Sequence, residues 1–257
     1  MKFLKYFFGL FVFCQFSAQN INPLDSLNLK ETQDFFADDY GSIYLYKNKD
    51  FSFTKFDSTG LQQGKIMFTV PFKIQSVENP LNIFAFSENA QEMRLYDQNL
   101  VEIQRVNLRE NFGFVVMAFG ADLQYIWLLE DSTKRLIKYR FRDESVQNSY
   151  FMNFNFEGIK DLIVFKNSIY ILKEKEFSVY DFQSNRIFKI AIENGEKLRR
   201  ENGEVYIIEN NKIFSWNSTG IFKKVFENPK AKIVDKNSSN FWAVVKNKLY
   251  IYKIGKL

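Results

Sequence analysis

One short motif recurs six times along the chain, and its spacing constrains the fold more than any other feature. It is an aromatic residue set between apolar neighbours: Ile43-Tyr44-Leu45, Ile83-Phe84-Ala85, Ile126-Trp127-Leu128, Ile169-Tyr170-Ile171, Val205-Tyr206-Ile207 and Phe241-Trp242-Ala243. The central aromatics are separated by 40, 43, 43, 36 and 36 residues. A period near 40 residues marks a repeat architecture in which each unit is one supersecondary element.

Each copy carries its neighbours with it. A short polar break follows the motif, as in Lys47-Asn48-Lys49, Lys173-Glu174-Lys175, Glu209-Asn210-Asn211 and Lys246-Asn247-Lys248. Such breaks between alternating segments predict hairpins. The next strand ends on an aromatic followed by Asp or Asn: Phe56-Asp57, Tyr96-Asp97, Tyr180-Asp181 and Trp216-Asn217. Asp57-Ser58-Thr59-Gly60 and Asn217-Ser218-Thr219-Gly220 predict tight turns, with the Asx side chain capping the turn and Gly supplying positive φ. A fourth strand is predicted at Lys65–Val70, Val101–Leu108, Ile187–Ile192 and Phe222–Phe226. The third repeat departs, with Tyr139 followed by Arg140 and a longer turn expected.

This pattern resembles the β-propellers, whose blades are four-stranded antiparallel meanders. It carries no subfamily signature: no Trp-Asp repeat with Gly-His, no Gly-Gly pair and no Ser-x-Asp-x-Gly box. The sixth repeat predicts three strands, near Ala231–Asp235, Asn240–Lys246 and Leu249–Ile254, and lacks an outer one. Leu24–Leu29 is a short alternating segment without a partner of its own. The expectation is an all-β, six-bladed β-propeller over residues 20–257, its last blade closed by that N-terminal strand, with Leu27 pairing onto 249–254. Closure removes the open sheet edge. A β-sandwich or curved open sheet is the rival arrangement.

The first 19 residues stand outside this domain. Lys2 and Lys5 precede an apolar run, Phe7 to Phe13, and Ser17-Ala18-Gln19 gives a small-residue exit. That is the layout of a cleaved secretory signal. The run is shorter than the ~20 residues needed to span a bilayer. Lipidation at Cys14 is disfavoured by the bulky Phe13 before it. The Ser-Ala-Gln ending resembles signal peptides of gliding bacteria that use type 9 secretion. The resemblance implies a small periplasmic or secreted propeller of such an organism. No separate sorting domain is read after the sixth repeat, so the expectation is retention in the periplasm or on the inner surface of the outer membrane.

Composition removes most catalytic chemistry. The chain has no His, and its single Cys lies in the signal segment. A Ser-His-Asp triad, a Cys–His pair, an ordinary zinc site and a disulfide are therefore all excluded from residues 20–257. No Gly-rich phosphate loop and no calcium loop occurs, and no cofactor is expected. Removing Lys2 and Lys5 takes the net charge from +5 to +3, too mild and too dispersed for nucleic acid. The 30 Phe residues are those of a β core.

Carboxylate chemistry survives this exclusion, because paired acids hydrolyse glycosides without His. Asp38, Asp39, Asp122 and Asp161 are the candidates, although turn positions account for such residues equally well. Asp25-Ser26-Leu27, Asp57-Ser58-Thr59 and Asp131-Ser132-Thr133 resemble the O-glycosylation acceptors of the same bacteria. Two features point to binding. Phe-rich connections between repeats offer Phe112 and Phe154 as exposed anchors, with Phe114 a further interaction candidate beside Phe112. Basic residues of the last two repeats, Lys197, Arg199, Arg200, Lys223 and Lys224, could dock an acidic partner. The expectation is a non-enzymatic interaction module with an outer-membrane or periplasmic protein partner, in its most specific form a subunit that caps or plugs a type 9 translocon. The alternative is a carbohydrate-binding or carboxylate-based glycan-active propeller.

Overall fold

The computed structural model describes Leu27 and residues 29–254, apart from Leu123 and Ser218. The signal segment lies outside these residues. The described chain is built of strands without helices. Blade 1 comprises β1 (Thr32–Ala37), β2 (Ile43–Lys47), β3 (Ser52–Phe56) and β4 (Gln62–Met67). Blade 2 comprises β5 (Lys73–Ser76), β6 (Ile83–Ser87), β7 (Glu92–Tyr96) and β8 (Glu102–Asn107). Blade 3 comprises β9 (Val115–Gly120), β10 (Tyr125–Glu130), β11 (Arg135–Arg140) and β12 (Ser145–Phe151). Blade 4 comprises β13 (Ile159–Phe165), β14 (Ser168–Lys173), β15 (Glu176–Tyr180) and β16 (Arg186–Ala191). Blade 5 comprises β17 (Gly195–Glu201), β18 (Glu204–Glu209), β19 (Lys212–Trp216) and β20 (Phe222–Glu227). Blade 6 comprises β21 (Ile233–Lys236), β22 (Asn240–Val245) and β23 (Lys248–Lys253).

Each blade is an antiparallel meander, and β1 lies beside β21, so the ring closes between blades 6 and 1. The chain is a six-bladed β-propeller. The closing strand expected at Leu24–Leu29 falls partly outside the described residues. Its described members, Leu27 and Leu29, are buried with Trp242, Val244 and Leu249 of blade 6 and Phe35 and Leu45 of blade 1.

The repeated aromatics all sit on the second strand of their blades, where they fill the layers between neighbouring sheets. Tyr44 and Phe53 pack with Phe72 and Ile74 of blade 2, and Tyr170 packs edge-on to Trp216 of blade 5 at 5.5 Å. Burial is greatest on the second strands and falls toward the rim. β6 is buried at every position, whereas β4 and β16 alternate between exposed and half-buried.

The turns between third and fourth strands obey one rule in four blades. Asp57, Asp97, Asp181 and Asn217 each accept backbone N–H groups two and four residues ahead, at 2.8–3.1 Å. The residue three ahead takes positive φ: Gly60, Leu100, Ser184 and Gly220. The blade 1 turn closes where Asp57 N–H donates to the Leu61 carbonyl. Pairing therefore resumes at Gln62, and β4 begins three residues before the expected Lys65. The blade 3 turn, expected to be long, is instead one residue shorter than these. No Asx cap is present there; Arg140 holds it by donating to Asp143 at 2.9 Å and to the Tyr125 hydroxyl.

Antiparallel alternation assigns the turns to two ends of the ring. First-to-second and third-to-fourth turns open on one end, here the turn face. Second-to-third turns and the connections between blades open on the other, the connection face.

Candidate functional site

The first strands of the six blades line the axis, and their chemistry differs by sector. β9 reads Val-Val-Met-Ala-Phe-Gly and carries no charge. β17 reads Gly-Glu-Lys-Leu-Arg-Arg-Glu and is charged at five of seven positions. Both strands face the middle of the protein, so the charges of β17 need partners from other blades.

Blades 1 and 6 supply them. Lys197 Nζ donates to Asp34 at 2.8 Å, to the Phe35 carbonyl at 2.5 Å and to Asp235 at 3.3 Å, and lies over the Phe36 ring. Arg199 donates to both oxygens of Asp235 and to the Ala37 carbonyl at 2.9 Å. Asp235 is fully buried, and its Oδ1 also accepts the next backbone N–H. Lys236 pairs with Glu201 over the Tyr206 ring. Burial pulls both lysines toward the neutral form. The Asp235 and Asp34 carboxylates outweigh burial at Lys197 and hold its pKa above the ordinary value. At Lys236, burial prevails over its ion pair with Glu201, and its pKa is lowered.

A second crossing spans blade 3. Lys73 of blade 2 pairs with Asp161 of blade 4 at 3.2 Å, and Asp161 also accepts the Leu198 N–H of blade 5 at 2.8 Å. Lys73 and Lys197 thus each reach past one blade to the next, so the axis is filled by the protein's own side chains. A cavity remains at either end, with Phe36 on the wall of both. The one at the turn face measures about 390 Å³ and is walled by Glu78, Asn82, Asp122 and Arg200 among others. The one at the connection face measures about 330 Å³ and includes Asn48, Phe72, Lys73 and Glu88. Burial raises the carboxyl pKa of Glu78 and of Glu88.

The four candidate carboxylates all have structural partners. Asp38 is buried and accepts the Tyr40 and Ser42 N–H groups and the Tyr44 hydroxyl. Asp39 accepts the Ser238 N–H at 2.7 Å, tying blade 1 to blade 6. Asp122 accepts the Gln124 and Tyr125 N–H groups. Asp161 lies in an inner strand rather than a turn. Among the described residues no group of three or more acidic side chains is arranged to hold a metal ion. Of the acceptor-like triplets, Asp57-Ser58-Thr59 and Asp131-Ser132-Thr133 lie in turns; Asp25 and Ser26 lie outside the described residues.

The expected binding residues divide. Phe114 is exposed. Phe112 and Phe154 are half-buried: Phe112 stands edge-on to Tyr139 at 4.9 Å, and Phe154 stacks on Tyr180 at 4.3 Å. Phe154 lies not in a strand but in the connection between blades 3 and 4, turned inward between the buried Met152 and Phe156. The basic residues do not form one patch. Lys197 and Arg199 are buried at the axis, Arg200 sits half-buried over the Phe165 ring, and Lys223 and Lys224 are exposed on the outer strand β20. Lys224 pairs there with Glu227.

The exposed apolar side chains, most of which carry no signal in the sequence, favour the turn face. Tyr40 and Leu81 occupy first turns, and Leu61, Val101 and Ile221 stand at the exits of third turns. Ile103, Val146 and Ile187 follow at the starts of outer strands. The connection face has Met67, Phe114 and Phe151. Tyr40 and Leu81 flank the axis and are 80% and 59% exposed.

No protein-family model matches the chain, and no curated protein matches it. Solved structures do. A streptogramin B lyase structure aligns over 92% of this chain and 87% of its own, at 12% identity and a TM-score of 0.52. The Pan2 WD40 domain of Neurospora crassa aligns over 88% and 76%, at 10% identity and a TM-score of 0.52. BamB from Moraxella catarrhalis aligns over 87% and 83%, at 8% identity and a TM-score of 0.45. What this chain shares with the first two is the propeller fold.

Proposed function

We propose that this protein is a non-enzymatic protein-recognition module of the bacterial envelope, which docks its partner on the turn face. The observation that carries the reading is the uneven placement of exposed apolar side chains, most of them on or next to that face. Large apolar side chains gathered at one end of a rigid scaffold are the usual substrate of protein docking. The engagement of Asp38, Asp39, Asp122 and Asp161 in turns and ion pairs supports a non-catalytic role over a glycan-active one. The basic start, apolar run and Ser-Ala-Gln exit of the first 19 residues support export, and with it a periplasmic location. In its most specific form the proposal places the protein on the periplasmic side of an outer-membrane translocon of the type 9 system.

Affinity purification from detergent-solubilised membranes of the native host tests this. The wild type should recover an envelope protein in stoichiometric amount. Tyr40→Asp with Leu81→Asp should abolish recovery, while Phe114→Asp with Phe151→Asp should leave it intact. A monomer without a partner, or loss only with the second pair, would overturn the proposal.

A further inference from the structure

The cavity at the turn face holds two opposite charges, Glu78 and Arg200, that act on each other only through space. Glu78 and Arg200 both line it, both are half-buried, and among the described residues neither side chain makes an ion pair or hydrogen bond. Arg200 rests on the Phe165 ring at 4.8 Å, while Glu78 uses its backbone N–H on Ser76. Every other charge on the wall is engaged. Lys197 and Arg199 share Asp235, Asp161 has Lys73, and Asp122 caps its turn.

Two buried donors on the same wall also lack acceptors. Gln75 gives its Oε1 to the Gly120 N–H, but its Nε2 has no partner. Arg199 uses both terminal nitrogens, but its Nε has none. A buried donor without an acceptor is costly, so such groups mark where an acceptor belongs. Charge balance narrows the ligand. Four carboxylates (Glu78, Asp122, Asp161 and Asp235) face Lys197, Arg199 and Arg200 on the wall, with Lys73 behind Asp161 as the fourth cation. A balanced cavity disfavours a dianion such as phosphate. Phe84, Phe119 and Leu162 supply apolar wall, and about 390 Å³ lies at the small end of ligand sites.

We propose that this cavity binds a small zwitterion of the α-amino acid class, with its ammonium at Glu78, its carboxylate at Arg200 and an apolar side chain against Phe84 and Phe119. Burial raises the Glu78 pKa against the through-space pull of Arg199 and Arg200, neither of which makes a direct contact with its carboxylate. The inference is independent of the protein-partner reading.

Isothermal titration of the full-length mature protein with L-leucine and L-phenylalanine tests it. N-acetyl-L-phenylalanine, L-phenylalaninamide and inorganic phosphate serve as controls. The amino acids should bind with millimolar or tighter dissociation constants, and either blocked derivative about tenfold more weakly, the loss of one charge-assisted contact. Phosphate should not bind. Glu78→Gln should abolish the preference for the free ammonium, and Arg200→Met the preference for the free carboxylate. Three results would overturn the proposal: no binding of either amino acid at about 10 mM, equal binding of the blocked forms, or unchanged preferences in both variants. The derivative series needs no variant, so poor folding of either one leaves the proposal testable.

Discussion

Strands β9 and β17 occupy equivalent places in the ring and solve burial in opposite ways. β9 fills its place with Val115, Met117 and Ala118, which need only dispersion and exclusion of water. β17 brings Lys197, Arg199 and Glu201 into the same environment and depends on Asp34, Asp235 and Lys236 from blades 1 and 6. The comparison teaches that this propeller closes its ring with charge on one side and with packing on the other. Replacing a wall residue should therefore have different consequences in the two sectors.

The largest effect is expected at Asp235. Asp235→Ala leaves Lys197 and Arg199 buried without their shared counter-ion and should cost about 3–5 kcal/mol in urea unfolding. Lys197→Met, Arg199→Met and Asp235→Leu combined should recover most of that loss, because an apolar replacement removes the desolvation cost with the pair. A loss below about 1 kcal/mol for Asp235→Ala would mean that water, not the network, solvates these charges. The apolar sector has its own sensitive point in Gly120 of β9. A Cβ there would come within 2.3 Å of the Phe84 ring, so Gly120→Ala should cost about 1–3 kcal/mol. Adding Phe84→Leu should relieve it in the same unfolding assay.

A smaller, pH-dependent effect is expected at the cavity. The Glu78 carboxyl pKa is raised by burial, so the native state binds the proton more tightly than the unfolded chain. Stability of the wild type should therefore fall as pH rises from the ordinary carboxylate range through the raised value. Glu78→Gln should raise Tm at pH 7 and give no gain below pH about 4, where both states are protonated. A gain independent of pH would contradict this assignment. The smallest effect belongs to the rim: Lys223→Gln on β20 should change stability by less than about 0.5 kcal/mol, unlike any substitution of Lys197.

The repeat was legible because its signals are local. An aromatic between apolar neighbours and an Asx two to four residues from the N–H groups it caps both lie within one blade, as at Tyr170 and Asp181. The wall chemistry was not legible for the opposite reason. Lys197 and Asp34 lie 163 residues apart, and in sequence β17 reads like a solvated strand. The basic residues 197–200 and 223–224 look like one cluster along the chain, yet first strands go to the axis and fourth strands to the rim. Glu78, Asn82 and Arg200 meet at one cavity only because first turns converge around the axis. Tyr40 and Leu81 stand alone in their turns and belong to no pattern, so nothing marked them before the fold placed them.

The central claim is that recognition takes place on the turn face. Site-specific photocrosslinking in the native host tests it most directly, with p-benzoylphenylalanine placed at position 81 on the turn face or at 151 on the connection face. The account predicts a discrete adduct with an envelope protein from position 81 and none from position 151. An adduct from 151 alone would contradict it.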